Sequence, residues 1–150
     1  MQADSVVPMS APQPLDDQRY PGQRLGLPED GPGSVAGWGR RIVALFVDWF
    51  ASLLVANLIT AYADVGTDTE RLLPLLVFFV EVSLFTGIAG ASFGQLATRI
   101  VVGRLDGRPV NLLQAMIRTF LICLVVPPVV FNRDNRGLHD LAVGTITLRR

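Results

Sequence analysis

Long apolar runs alternate with short polar connections along this chain, and the runs set its architecture. The first run covers residues 42–63, with Asp48 its only charge. At about 1.5 Å per residue its 22 positions make a helix of about 33 Å, enough to cross a bilayer core about 30 Å thick. The second run covers residues 72–98, with Glu81 its only charge and Pro74 in its first turn, where a missing N–H is harmless. The third covers residues 110–131 and carries Arg118 alone. Pro127-Pro128 interrupts it, so its continuous part, 111–126, is only marginally long enough to span.

The polar stretches are of different kinds. Residues 1–37 hold six prolines and five glycines and almost no long aliphatic run, which predicts a disordered cytosolic tail. No apolar core follows a basic start there, so a cleavable signal peptide is not expected. Asp64, Asp68 and Glu70, with Arg71, form an acidic connection between the first two runs. In residues 99–110 Asp106-Gly107 is a turn signal flanked by β-branched residues, which predicts a short β-hairpin. Residues 144–149 also have strand character. The expected fold is therefore an all-α membrane protein with two transmembrane helices and a third membrane-embedded segment. A small cytosolic β element near 99–110 and 144–149 completes it, and the membrane domain covers residues 38–150.

Arginine placement orients the chain. Arg40 and Arg41 precede the first run, and Arg99, Arg104 and Arg108 follow the second, while the connection between has only Arg71. Excess positive charge marks the cytosolic side, so the N-terminus and the 99–110 region are expected inside a plasma (inner) membrane, with a multi-pass topology. Two paths remain for the third run. If it spans, the C-terminal tail with Arg133, Arg136, Arg149 and Arg150 lies outside and violates the charge rule. If it enters and turns back at Pro127-Pro128, the tail stays inside, which the arginines favour.

Composition adds exclusions. Half of the residues are hydrophobic, mean hydropathy is +0.42, and formal net charge is zero, so nucleic acid is not an expected partner. Cys123 is the single cysteine, which rules out an intrachain disulfide and a cysteine metal site. His139 is the single histidine, and its neighbour Asp140 invites an acid–base reading, although such a pair more commonly caps a turn or binds backbone. No nucleophile motif, phosphate loop or cofactor fingerprint is present; Gly87-Ile-Ala-Gly90 lies in an apolar helix and is no dinucleotide loop. An enzyme is not expected, and neither a cofactor nor a metal.

The charges inside the apolar runs carry the chemistry. Each costs about 2.5–3.5 kcal/mol near the centre of a lipid-embedded helix, so Asp48, Glu81 and Arg118 need partners or water. The simplest arrangement pairs Arg118 with one or both carboxylates. Arg41, Asp48 and Ser52 fall on one helix face with Ala44 and Ala51 close by, a polar and small stripe that should face protein. Glu81, Ser92 and Gln95 fall on one face of the second run, and two ladders of small residues, Ser83-Gly87-Ala91 and Gly90-Gly94, permit close backbone approach. These stripes suit either a polar path for an ion or glue that fixes helix register.

Taken in order, these residues resemble the RDD family of membrane proteins, named for an Arg at the start of the first span, an Asp within it and an Asp near the C-terminus. Arg41 and Asp48 match in Gly39-Arg-Arg-Ile-Val-Ala-Leu-Phe-Val-Asp48, and Asp140 matches in Arg136-Gly-Leu-His-Asp-Leu-Ala-Val-Gly-Thr145. Phe93-Gly-Gln-Leu-Ala-Thr-Arg-Ile-Val-Val102 and Ala115-Met-Ile-Arg118 are similar to the family's intervening segments, so the resemblance covers about residues 37–150. The chain departs from it at Gly94-Gln95, where Gly-Lys is common, and the Pro-rich tail has no counterpart. The resemblance implies the fold and a membrane location. The family's activity is largely unassigned, with transport, including cation–proton exchange, suggested for some members. Two readings follow. One is transport of an ion or small ligand; a chain this short would need a homo-oligomer or another membrane protein to enclose a pathway. The other is a non-transporting membrane scaffold or interaction protein.

Overall fold

The computed structural model describes residues 18–124 and 132–150. Helix α1 spans Trp38–Tyr62 and helix α2 spans Thr67–Ala89, about 37 Å and 34 Å long at 1.5 Å per residue. Both are long and apolar enough to cross a membrane, and only 22 % and 28 % of their most apolar windows are buried. The core helix of a soluble protein would bury most of such a window; here Phe46, Phe50 and Leu54 on α1 and Leu76 and Ile88 on α2 face outward. What α1 does bury is a small and polar stripe, Ala44, Asp48, Ser52 and Ala56 at every fourth position; the first three are among the expected residues, Ala56 extends the stripe, and Ala51 is half-buried beside it.

The second apolar run is not one helix. Asp68 and Glu70 occupy the first turn of α2, where carboxylates complement the helix dipole, so the helix starts five residues before its apolar run. Pro74 consequently lies in the helix interior and removes one ladder bond there. Gly90, with φ 72°, ends α2, its N–H donating to the Thr86 carbonyl at 3.0 Å. Ser92 then starts the short helix α3, Phe93–Ala97, through a reciprocal capping box with Gln95. Arg99, in the left-handed region at φ 56°, turns the chain out of α3 into strand β1, Ile100–Arg104.

No hairpin forms at Asp106-Gly107. The Gly107 N–H donates to the Arg104 carbonyl at 3.1 Å and closes a turn, and Arg104 pairs with Asp106 across it. A second strand has no room to follow, because Pro109 lacks a donor and Asn111 already opens helix α4, Leu112–Cys123, with a capping box to Gln114. Strand β1 pairs instead with the distant strand β2, Thr145–Arg149, antiparallel and in register from Ile100↔Arg149 to Arg104↔Thr145. Helix α5, Leu138–Ala142, leads into β2.

The tail also differs from the expectation. Its residues 1–17 lie outside the described part, whereas 18–37 are placed against the fold. Val35 bridges to Leu148, the Gly33 and Ala36 N–H groups reach the Arg149 and Thr147 carbonyls at 2.8 and 2.9 Å, and Gln18 donates to Asp134 at 2.6 Å. The free edge of β2 supplies backbone partners that offset the ordering of this glycine-rich stretch.

Helix α4 is 12 residues, about 18 Å, too short for a 30 Å bilayer core. It packs along α2 at Gly87, where an added Cβ would lie 3.0 Å from Leu112 Cα. The Pro127-Pro128 break lies outside the described residues. The start of α1, the end of α2, α3, both strands and α5 gather at one end of the helix pair, held by bonds such as Val102 N–H to Gly90 O at 2.7 Å. The 63–66 connection is at the other end.

Candidate functional site

The predicted motif residues meet at that crowded end. Asp140 sits in the first turn of α5 and is completely buried. Its Oδ1 accepts from Arg118 Nε at 2.8 Å and from Thr145 Oγ1 at 2.9 Å. Its Oδ2 accepts from Thr147 Oγ1 at 3.1 Å and lies 3.7 Å from both Arg41 Nη1 and His139 Nε2. Thr145 and Thr147 project from the same face of β2, two residues apart, which is why both reach one carboxylate. Burial by itself raises a carboxyl group's pKa, but the Arg118 guanidinium, His139 and Arg41 outweigh it and hold Asp140 below the usual carboxylate range. It is therefore ionised, at the hub of a network joining α1, α4, α5 and β2.

Arg41 adds two backbone bonds, Nε to Ala36 O at 3.1 Å and Nη2 to Thr147 O at 3.3 Å. Arg136 fastens the far side, its Nε donating to Thr145 O at 2.9 Å. Gly137 precedes α5 because the His139 ring folds back over it; a Cβ at 137 would run into that ring.

Asp48 forms a second node. Its Oδ2 accepts from Ser92 Oγ at 2.6 Å and its Oδ1 from the Gly94 N–H at 2.5 Å, so an α1 carboxylate anchors the first turn of α3. Gly94 has no alternative there: a Cβ would collide with the Ala44 carbonyl and lie 2.8 Å from Asp48 Oδ1. Glu81 Oε1 accepts from the Phe93 N–H at 3.1 Å, and its buried Oε2 has no hydrogen-bond partner among the described residues. Ser52 turns back on its own helix, its hydroxyl bonding the Asp48 carbonyl at 2.8 Å.

The structure thus unites Arg41 with Asp140, and it corrects the expected contact of Arg118 with Asp48 or Glu81: Arg118 pairs with Asp140. Backbone and hydroxyl donors of α3 satisfy Asp48 locally, which leaves Arg118 for the carboxylate of α5. Ser92, Gln95 and Glu81 do not share one helix face either, since α2 ends before Ser92. The sequence marked Gly94 only as a small residue permitting close approach and Thr145 only as the end of a motif, and it did not single out Thr147. The Ser92-x-x-Gln95 capping spacing and the alternation of threonines in β2 were the available signals.

Between the two nodes lies a cavity of about 80 Å³, room for a few waters. Arg41, Asp48, Gln95, Arg118, His139 and Thr147 supply its polar lining, and Phe78, Val82 and Ile122 are among its apolar walls. Arg118 is 2 % exposed, and its Nη1 makes no hydrogen bond among the described residues. Arg118 and Asp48 therefore line the same small space.

The model of a known family, the RDD family, matches residues 35–144. No curated protein and no solved structure matches the chain. With two apolar helices of membrane-crossing length and the family match over most of its length, the chain is a membrane protein that belongs to the RDD family.

Proposed function

We propose that this protein is a subunit of a plasma-membrane assembly that passes a small ion or a proton, with the cavity between Asp48 and Arg118 as its polar step. One observation carries this reading. Ionisable residues of α1 and α4 line one cavity beside the membrane-crossing helices, and Arg118 Nη1 is buried with no hydrogen bond among the described residues. Buried donors without protein partners are commonly met by water or a ligand, and ionisable groups at membrane depth commonly mark ion or proton paths. Two crossing helices cannot wall a pathway alone, so a second copy or another membrane protein completes it.

The same reading places both described ends of the chain in the cytosol. Pairing of β1 with β2 is compatible with a third apolar segment that does not cross, and the arginines around the gathered end favour the cytosolic face.

Purified protein in tight liposomes tests the function. Passive flux of protons or monovalent cations is expected, and it should fall at least ten-fold in Asp48→Asn, whose amide keeps the size of the side chain. Vesicles that stay tight to every ion tried, or flux unchanged in Asp48→Asn, would refute it. A scaffold role is the second reading, favoured by the full hydrogen bonding of Asp48 and Asp140. It predicts no flux, with Asp48→Asn disturbing assembly alone.

A further inference from the structure

A second polar feature lies outside the cavity. The first turn of α1 and the end of α3 border an open groove lined by Gly39, Arg40, Val43, Ala97, Thr98 and Arg99. None of these six residues is acidic, and Arg40 and Arg99 are both exposed. Neither makes an ion pair among the described residues. Arg40 Nη1 is oriented by the Thr98 carbonyl at 3.0 Å, which holds its guanidinium over the groove. Arg99 is fixed by its left-handed backbone, at φ 56°, and not by its side chain.

What lies next to the two guanidiniums identifies the occupant. Val43 is 52 % exposed one turn further into α1, and Phe93 and Leu96 are 54 % and 37 % exposed on α3, whose polar Gln95 is turned inward. Helix α3 therefore presents an apolar face outward beside the first turn of α1. A paired cationic rim above an apolar wall is complementary to a phosphodiester above its acyl chains. Guanidinium forks also match phosphate oxygens in geometry, in contact that a zwitterionic headgroup partly cancels.

We propose that this groove binds the headgroup of an anionic phospholipid, with Arg40 and Arg99 on the phosphate and Val43 and Leu96 against the first methylenes. This rests on the membrane location of α1 and is independent of ion passage through the cavity.

The experiment uses the full-length protein in nanodiscs of phosphatidylcholine with a minor fraction of brominated lipid, reading the quenching of Trp38, the neighbour of Gly39. Brominated phosphatidylglycerol should quench more strongly than brominated phosphatidylcholine at equal fraction. Each guanidinium near a membrane surface strengthens anionic-lipid binding about five-fold at low salt. The half-saturating phosphatidylglycerol fraction should therefore rise about five-fold in Arg99→Asn and about twenty-five-fold in Arg40→Gln with Arg99→Asn. Asparagine suits the left-handed backbone at 99, and Arg108→Gln, an exposed change away from the groove, should leave the curve in place. Arg40→Lys should retain most of the preference if the double variant fails to fold. Equal quenching by the two brominated lipids would overturn the proposal, as would an unshifted curve in Arg99→Asn. Release of the lipid effect by millimolar glycerol phosphate would assign the groove to a soluble phosphate and overturn it too.

Discussion

Replacing Asp140 with Asn tests the charge hub most sharply. The side chain keeps its shape, but the negative charge between Arg118 at 2.8 Å and Arg41 at 3.7 Å disappears, leaving two guanidiniums facing each other in a buried site. Removing one partner of a buried ion pair costs about 3–5 kcal/mol, because the remaining charge stays desolvated and uncompensated. For a chain of this length 1 kcal/mol moves the unfolding midpoint by about 2–4 °C, so the variant should melt about 10–15 °C lower. Tryptophan fluorescence of the protein in detergent, followed with temperature, reads this through Trp38 and Trp49. Adding Arg118→Met to Asp140→Asn should recover part of the loss, since it removes one stranded charge. Acid supplies a second arm. Asp140 has a depressed folded-state pKa, so its stabilisation is fully present above its unfolded value of about 3.9 and is lost as pH falls from there toward the lower folded value. The midpoint difference between wild type and Asp140→Asn should be constant from pH 7 to about 5 and shrink below about pH 4. A loss under about 1 kcal/mol, or a double variant that is worse than Asp140→Asn alone, would refute the hub.

Gly94→Ala should destabilise by about 1–3 kcal/mol, because its Cβ meets the Ala44 carbonyl, whereas Gly39→Ala, with open space around it, should stabilise by up to about 1 kcal/mol; the same melting assay separates them. Ser92→Ala removes both the α3 cap and one of two donors to Asp48, and should cost about 1–2 kcal/mol, with no change arguing against the anchoring of α3 by α1.

The crossing helices and the motif residues were legible in the sequence because each rests on local pattern. Asp48 stands alone in an apolar run, with Ala44 one turn before it and Ser52 one turn after it, so most of the buried stripe could be read directly, though not Ala56. The break after α2 was less visible. Gly90 and the Ser92 capping box sit in an uninterrupted apolar stretch, and hydropathy alone does not distinguish a span from a span plus a short interfacial helix. The partners of the charges were less visible still. Arg118 meets Asp140, 22 positions away, only because β2 returns to β1, and the sequence offered Asp48 and Glu81 as equally plausible acids. The local turn signal at Asp106-Gly107 was real, but Pro109 and the Asn111 cap diverted it from a hairpin. Residues 18–37 were misleading for the opposite reason: their order comes from the edge of β2, which no local composition records.

The central proposal is that β2 and α5, which return to the end where α1 starts, lie on the same side of the membrane as that end. Accessibility of single cysteines, introduced into Cys123→Ala and labelled with an impermeant maleimide on intact and then opened cells, tests it most directly. Cysteines at Arg24, Asp106 and Arg150 should all label only after opening, and one at Val65 should label on intact cells. Labelling of position 150 together with 65 would contradict the account, because β2 would then lie across the bilayer from β1.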